Sequence, residues 1–153
     1  TVTIQSANPG VYSAITDLQG SITPTATTSR IFLSGNVMLS ISSRTVAVRI
    51  MRSINGGSFV EVGSGAQVGS RGTGHTGMQG DVGSRGPVSA GIHFVDTPSF
   101  SSGQSIVYRL EARDSSGAAG GWICNSSFTG GPSDPDQASS IRTISGFTMQ
   151  ELS

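Results

Sequence analysis

Apolar and polar residues alternate with a period of two along most of this chain. In three segments, 37–41, 46–50 and 106–110, aliphatic or aromatic residues occupy every second position. Since successive side chains of a strand point to opposite faces of a sheet, this spacing predicts strands with one buried face. No window of helical length places apolar residues at i, i+3 and i+4 between caps. The chain is therefore predicted to be all-β.

Turn residues separate these segments and indicate the fold class. Asn55 followed by Gly56 and Gly57 is a strong hairpin signal, because Asn and Gly tolerate the positive φ angles of a tight turn. Pro98 marks the end of another strand. About seven to nine short strands joined by Gly, Ser and Pro predict an antiparallel β-sandwich of the jelly-roll type. The residues that we expect in its core are Phe32, Val48, Ile50, Phe59, Phe94, Tyr108, Leu110, Trp122 and Phe147.

The length of 153 residues suits a single domain with its own core. Residues 1–29 are predicted to hold an N-terminal strand and a docking arm; they include Pro9-Gly10 and the run Thr25–Thr28. Residues 30–153 are predicted to form the sandwich. No apolar run of 18 residues is present, so no membrane span is expected. The start of the chain also lacks the basic region of a signal peptide, so we expect synthesis in the cytoplasm.

The segment 63–87 differs in composition from the rest of the chain, because nine of its 25 residues are glycine. From Gly74 to Gly86, glycine recurs at every third position. A bundle of three polyproline-II-like chains requires that period, since only hydrogen fits at its axis. The single proline and five triplets are too few for an independent triple helix. Two interpretations stay open: a glycine-rich surface loop, or a loop of which three copies meet at a threefold axis.

A loop of this length inside a compact domain is usually either functional or disordered. The tetrapeptide Gly-Ser-Arg-Gly occurs twice, at 69–72 and 83–86, and its arginines are able to contact an acidic partner. Solvated loop charge is the alternative interpretation of these arginines. The candidate contacts with other copies or with a partner are Arg71, Gly74, His75, Gly77, Gly80, Gly83, Arg85 and Gly86.

Charge is sparse and balanced in this protein. Charged residues make up 12% of the chain, and nine arginines face nine acidic residues for a net charge of zero. A nucleic-acid-binding protein needs a basic footprint, so nucleic acid is not an expected partner. Charge repulsion normally keeps soluble monomers apart. The composition therefore favours a protein that covers much of its surface with other chains.

No arrangement of side chains typical of catalysis or metal binding stands out in the sequence. The two histidines, His75 and His93, have no HxH or HExxH partner, so no metal site is expected. His93 lies three residues before Asp96, but no Gly-x-Ser-x-Gly elbow supplies a nucleophile. Cys124 follows Trp and Ile in an apolar segment and is interpreted as a small buried residue. We therefore expect no enzyme activity and no cofactor.

The second half of the chain resembles the small β-sandwich found at the C-terminal tips of many bacteriophage tail fibres and in stand-alone head or fibre proteins. The resemblance covers roughly residues 37–152. Its motifs are Ile54–Ser58, the glycine- and arginine-containing loop that follows, Phe94–Pro98, Ile106–Arg113 and the closing segment Ser145–Leu152. The resemblance implies a homotrimer on the surface of a virion.

Two virion roles follow from this resemblance. A fibre needs a virion anchor and a shaft, and this sequence has neither heptads nor shaft repeats. The first hypothesis is therefore a trimeric capsid decoration (cement) protein that bridges subunits of the major capsid protein. The alternative is a receptor-binding tip of a tail or head fibre that recognises a host-surface glycan. A cellular carbohydrate-binding module or a small hydrolase is the third possibility, but few aromatic residues are left over for sugar stacking.

Overall fold

The computed structural model describes residues 4–5, 10–41, 45–66, 73–79, 87–114, 122–124 and 144–153. These residues contain ten strands and no helix, so the chain is all-β as predicted. The strands are β1 (Ile4–Gln5), β2 (Ser13–Ile22), β3 (Arg30–Ile41), β4 (Thr45–Ile54), β5 (Val60–Val62), β6 (Thr76–Gln79), β7 (Pro87–Asp96), β8 (Ile106–Asp114), β9 (Trp122–Cys124) and β10 (Gly146–Leu152).

The strands form two five-stranded sheets, in which every pairing is antiparallel. In sheet I, one edge of β3 pairs with β7 over ten residues. The other edge of β3 pairs with β10 in its first half and with β9 in its second half, and β9 in turn pairs with β1. Strand β3 is thus the centre of sheet I.

Sheet II is built around β4 and β8, which pair over nine residues from Val46 to Ile54. The second edge of β4 is shared between β5 and β6, and the second edge of β8 pairs with β2. The register of β2 shifts between Ala14 and Gln19. This irregularity explains why Ile15 and Leu18, three residues apart, are both buried, since a regular strand would turn them to opposite faces.

One hydrophobic cluster contains buried residues from both sheets. Its fully buried members alternate along the strands: Ile31, Leu33, Val37 and Leu39 on β3; Val46, Val48 and Ile50 on β4; Ile92 on β7; Ile106, Tyr108, Leu110 and Ala112 on β8. Four residues expected in the core, Val48, Ile50, Tyr108 and Leu110, are therefore fully buried. Phe94 and Phe147 are half-buried and pack against the cluster. Trp122 lies in β9, but its side chain falls outside the described part of the structure.

Two of the expected core residues, Phe32 and Phe59, do not belong to the core, and these two predictions are wrong. Ile31 and Leu33 point into the cluster, so the alternation of β3 turns Phe32 to the opposite face, where it is half-buried. Phe59 precedes β5 and lies beneath the guanidinium of Arg109, whose Cζ is 3.7 Å from the centre of its ring. Both phenylalanines therefore belong to outer surfaces of the sheets.

The Asn55-Gly56 signal marks a tight turn between β4 and β5. Asn55 has φ of 50° and Gly56 has φ of 74°, the two positive angles of a type I′ turn. The Gly57 amide donates to the Ile54 carbonyl at 3.0 Å and closes the turn. The hydroxyl of Ser53 donates to the Gly57 carbonyl at 2.6 Å and tightens the base of the hairpin.

We expect Gly56→Ala to lower the free energy of unfolding by about 1 kcal/mol, because a Cβ at positive φ is strained. No atom lies within 4 Å of a Cβ built at this position, so a steric clash would add nothing to that loss. Urea unfolding of the variant measures the loss. An unchanged unfolding midpoint would contradict the type I′ assignment.

The segment 63–87 is not a loop throughout, which corrects the prediction. Residues 76–79 form β6, which pairs with Thr45–Val48 of β4. Met78 in its centre is buried in the core cluster. Glycine-rich composition concealed this strand, because Gly77 weakens the alternation by which strands are recognised. Residues 67–72 and 80–86 lie outside the described part of the structure.

The range 1–29, in which a docking arm is predicted, contributes β1 and β2 to the two sheets. Strand β2 lies within sheet II, and the connection that follows it is tied to the end of β10. The Glu151 carboxylate accepts hydrogen bonds from the Thr25 amide at 2.8 Å, the Thr25 hydroxyl at 2.9 Å and the Ser29 hydroxyl at 2.5 Å. The described residues of this range, 4–5 and 10–29, therefore pair with strands of the two sheets or connect them, and the docking arm itself stays a prediction.

The connection 23–29 is expected to loosen in acid. The Ser29 and Thr25 hydroxyls and the Thr25 amide lower the pKa of Glu151 below its ordinary value, so the carboxylate form binds the connection better than the acid form. The stabilisation is complete above the ordinary pKa, about 4.3, and is lost as the pH falls through the lowered pKa. We expect the NMR shift of the Thr25 amide proton to titrate in that window and to stop titrating in Glu151→Gln.

Candidate functional site

Three of the eight candidate contact residues, Gly74, His75 and Gly77, lie in the described part of the chain. The other five lie outside it: Arg71, Gly80, Gly83, Arg85 and Gly86. Gly74 precedes β6, where a Cβ would press on the Ala47 Cβ and the Val48 carbonyl, both 3.3 Å away. Close internal packing therefore accounts for glycine at this position.

His75 uses both ring nitrogens within the chain. Its Nδ1 lies 2.9 Å from the Gly63 carbonyl, and its Nε2 lies 3.4 Å from the His93 amide of β7. A neutral ring that donates from Nδ1 and accepts at Nε2 satisfies both contacts. The ring also meets Phe94 edge-on, with 6.0 Å between centroids. His75 therefore connects β6 to the edge of β7, which is a structural role that the sequence did not reveal.

The outer face of sheet II carries a network of charged side chains. Arg49 donates to Glu111 Oε2 from Nε at 2.8 Å and from Nη2 at 2.6 Å, and to Glu61 Oε2 from Nη1 at 3.1 Å. Arg109 holds the second oxygen of Glu111 from Nε at 2.9 Å and from Nη2 at 2.6 Å. Two guanidiniums thus enclose one carboxylate, and Glu111 is only 4% exposed although it lies on the outer face.

Aromatic rings complete this outer face. The Cζ of Arg49 lies 3.9 Å from the centre of the Tyr12 ring, and that of Arg113 lies 5.8 Å from the same ring. The Tyr12 hydroxyl donates to the Thr73 carbonyl, so the side chain is held both by this hydrogen bond and by the arginine stacked on its ring. Burial and the neighbouring Glu61 carboxylate raise the pKa of Tyr12 and keep its hydroxyl a donor. Such guanidinium–ring stacks are cation–π contacts.

Glu61 is kept ionised within this network. Burial alone would raise the pKa of Glu61, but the nearby hydroxyls of Ser64 and Thr73 and the Arg49 guanidinium together lower it below the ordinary value. The carboxylate therefore stays available to Arg49 at neutral pH.

A second network connects the two sheets through their interior. Asp96 at the end of β7 accepts hydrogen bonds from Arg52 Nη1 at 2.9 Å on Oδ1 and 2.8 Å on Oδ2, and from the Tyr108 hydroxyl at 2.7 Å. Asp96 is 5% exposed and Tyr108 is fully buried. Burial and the bond to Asp96 raise the pKa of Tyr108 far above its ordinary value, so the hydroxyl keeps its proton. We call these three residues the Asp96 clasp.

The outer face of sheet I differs from that of sheet II in having few ionisable groups. Alternation along β3 and its register with β7 and β10 place three rows on this face: Val95, Phe32 and Gln150; His93, Ser34 and Thr148; Gly91, Asn36 and Gly146. Within these rows His93 is the ionisable residue, and Arg30 lies beyond them at one end of the face. Seven of the nine positions are exposed, namely all except Phe32 and Ser34.

The described residues were compared with the geometry of metal sites and of reactive thiols. No group of three or more His, Cys, Asp or Glu side chains among them is placed to hold a metal ion. Cys124 is buried, and burial raises the pKa of its thiol, which weakens it as a nucleophile. Within the same residues, no helix has the length and apolar character needed to cross a membrane.

Comparison of the chain with protein-family models, with curated proteins and with solved structures found no match.

Sequence reasoning missed both charged networks. Their members are far apart in the chain: 62 positions separate Arg49 from Glu111, and 44 separate Arg52 from Asp96. The available signal was the apolar alternation itself, since a charged residue at a position that faces the core, as at Arg52, needs a buried partner. That rule predicts an acidic partner for Arg52. Choosing Asp96 among the nine acidic residues, however, requires knowledge of the strand topology.

Proposed function

We propose that this chain is a structural protein of a bacteriophage virion, a homotrimeric decoration (cement) protein on the capsid surface. In this proposal the two sheets stack as a β-sandwich of the jelly-roll type. The trimer binds subunits of the major capsid protein at threefold points and ties neighbouring subunits together. The order of motifs from Ile54–Ser58 to Ser145–Leu152, which resembles phage fibre and head proteins, supports this assignment.

The observation that carries the proposal is the distribution of charge in the structure. Arg49, Arg52 and Arg109 pair with carboxylates of the same chain, so their charges are neutralised internally. Separately, the outer face of sheet I presents mainly uncharged polar and apolar residues. Interface cores are depleted in charged residues, because desolvating an unpaired charge is costly. A protein built this way is suited to broad contact with other proteins.

A cement protein stabilises a capsid by linkage: it binds the assembled lattice and not the dissociated subunits, so it shifts the equilibrium toward the assembled state. Rigidity improves this effect, because a partner that is ordered before it binds loses less entropy on binding. The Asp96 clasp and the ion pairs of Glu111 with Arg49 and Arg109 hold the strands of this chain in one arrangement, which supports such a role.

The test compares virions that lack the chain with virions to which the purified protein has been restored. We expect the deleted particles to release DNA at a lower temperature and the restored particles to regain the original temperature. A decorated and an undecorated particle of equal heat stability, combined with lost adsorption to host cells, would contradict the cement role.

The second candidate is a receptor-binding tip for a host-surface glycan, and the outer face of sheet II favours it. Tyr12 and Phe59 each lie beneath an arginine there, and aromatic rings are among the residue types that line ligand sites. We expect Phe59→Ala to abolish saturable binding to host cells, whereas Thr148→Ala on the opposite sheet leaves it unchanged. Equal binding by both variants would contradict this role.

A further inference from the structure

Asn55 and Gly56, at the tip of the hairpin between β4 and β5, are the single Asn-Gly pair in the sequence, and both are exposed. The amides on either side of the pair's peptide bond are engaged. The Asn55 amide donates to the Ser105 carbonyl at 2.8 Å, and the Gly57 amide donates to the Ile54 carbonyl at 3.0 Å. The Gly56 amide has no acceptor in the described part of the chain. The tip therefore presents a free backbone nitrogen directly after an asparagine.

The structure leaves both members of the pair accessible to water. No atom lies within 4 Å of a Cβ built at Gly56, so the space beside its nitrogen is open. The Asn55 side chain makes no hydrogen bond to any residue that the structure describes. Asn36 differs in both respects, because its side-chain oxygen accepts from Ser89 and the residue after it is fully buried Val37 in the middle of β3.

The atoms needed for loss of the side-chain amide belong to adjacent residues, so the attack is intramolecular. The Gly56 nitrogen, after losing its proton to hydroxide, attacks Cγ of Asn55 and closes a succinimide ring. The Cγ–Nδ2 bond breaks, and the side-chain nitrogen leaves as ammonia with a proton from water. Water then opens the ring at either carbonyl carbon and leaves aspartate or isoaspartate. The sum of these steps consumes one water and releases one ammonia, without oxidation or reduction.

The turn has to open before the nitrogen reaches Cγ. Exposed turns open locally at a lower free energy than the core does. Glycine adopts backbone angles that are closed to residues with a Cβ, so Gly56 lets its nitrogen rotate toward the Asn55 side chain.

We propose that Asn55 is a covalent modification site, at which the chain spontaneously converts the side-chain amide into aspartate and isoaspartate. The proposal does not rest on the capsid or the receptor role. Both products carry a carboxylate that is ionised at neutral pH, so each adds one negative charge to a chain whose net charge is zero. The rate follows the ionised fraction of the Gly56 amide and rises about tenfold for each unit of pH.

The two products differ in their effect on the hairpin. An Asp-Gly pair also favours a type I′ turn, so the aspartate form keeps the turn. Isoaspartate routes the main chain through Cβ and adds one atom to the backbone of the turn, so the Gly57 amide no longer reaches the Ile54 carbonyl. Strand β5 has three residues, and the turn sets its register on β4.

Displacement of β5 disturbs the outer face of sheet II. Glu61 of β5 accepts a hydrogen bond from Arg49 at 3.1 Å. Phe59, which precedes β5, lies beneath Arg109, whose Cζ is 3.7 Å from the ring centre. Isoaspartate at position 55 therefore loosens both contacts, whereas the strand pairings of sheet I are not affected.

The experiment incubates the purified chain at pH 7 and in mildly alkaline buffer. Peptide mapping by mass spectrometry follows residue 55, and methylation by protein isoaspartate methyltransferase distinguishes isoaspartate from aspartate. Asn36 is the internal control in the same samples. Asn55→Gln is the matched control, because its longer side chain would have to close a six-membered ring, which forms more slowly. Asn55→Asp supplies the aspartate product alone.

We expect acid to accumulate at residue 55, faster at the higher pH, while Asn36 and the glutamine of Asn55→Gln keep their amides. A synthetic peptide of residues 53–58 serves as the positive control. An intact Asn55 amide in the folded chain, over a period that converts the peptide, would overturn the proposal. Conversion of Asn36 at the same rate would also overturn it, because the exposed turn would then confer no reactivity.

The structural consequence has its own measurement. The isoaspartate fraction, separated by ion exchange, is expected to unfold at a lower urea concentration than fresh protein, whereas Asn55→Asp unfolds at an unchanged one. Equal midpoints for the isoaspartate fraction and Asn55→Asp would overturn the loss of the turn.

Discussion

Asp96→Ala is expected to lower the free energy of unfolding by about 3 kcal/mol, the lower end of the range for breaking a buried ion pair. The substitution leaves the Arg52 guanidinium facing the core without its carboxylate and leaves the buried Tyr108 hydroxyl without an acceptor. The lower end applies because the Arg52 side chain is 19% exposed and recovers part of its hydration. Urea unfolding at pH 7 measures the effect.

A double substitution tests whether an unpaired buried charge causes this loss of stability. Arg52→Met combined with Asp96→Leu replaces both ions by apolar side chains of similar size, so we expect a smaller loss than in Asp96→Ala alone. Tyr108→Phe removes one hydrogen bond and is expected to cost about 1 kcal/mol. If the double variant loses as much stability as the single one, packing rather than charge pairing explains the role of Asp96.

Gly35→Val is expected to be the second most damaging change, with a loss of about 2–3 kcal/mol. A Cβ at this position overlaps the Gly146 carbonyl, and the atoms that it meets are backbone atoms of β10 that cannot rotate away. Strand β10 must then move off β3 in the region where Phe147 packs against the core. Thermal unfolding followed by circular dichroism measures the loss.

The matched control is Gly146→Ala, which adds a methyl group to the facing strand where no atom lies within 4 Å. We expect an unchanged or slightly higher midpoint in monomeric protein, because alanine reduces the entropy of the unfolded chain by the equivalent of about 0.4–1 kcal/mol. Equal destabilisation by both substitutions would show that the β3–β10 pairing is not as close as described.

Strand positions were predictable from the sequence wherever apolar residues alternate. The spacing of Val46, Val48 and Ile50 gave the inward face of β4 directly, and the Asn55-Gly56 pair gave its turn. The apolar run 31–33 failed as a guide, because three consecutive apolar residues do not reveal which of them faces inward. Phe32 was therefore placed in the core, although Ile31 and Leu33 occupy it.

The candidate site was less predictable for two physical reasons. Strand β6 owes its place to pairing with Thr45–Val48 and to one buried side chain, Met78, and a four-residue strand with glycine in it has no periodicity to detect. The outer faces depend on register. Asn36 meets Gly91 and Gly146 only because β3 pairs with both neighbours in one alignment, and no local pattern encodes that alignment.

The pairing of β3 with β10 has a consequence for how the protein is made. The Met38 amide donates to the Ser145 hydroxyl, and these residues are 107 positions apart in the chain. Strand β2 likewise cannot pair until β8 has been made. During synthesis, β3 leaves the ribosome long before the strand that covers its first half. Such non-local contacts slow folding, and the unpaired edge of β3 is exposed to aggregation in the interval. High yields of soluble protein should therefore depend on low temperature, which weakens hydrophobic association, or on a chaperone that covers β3 until β10 is complete.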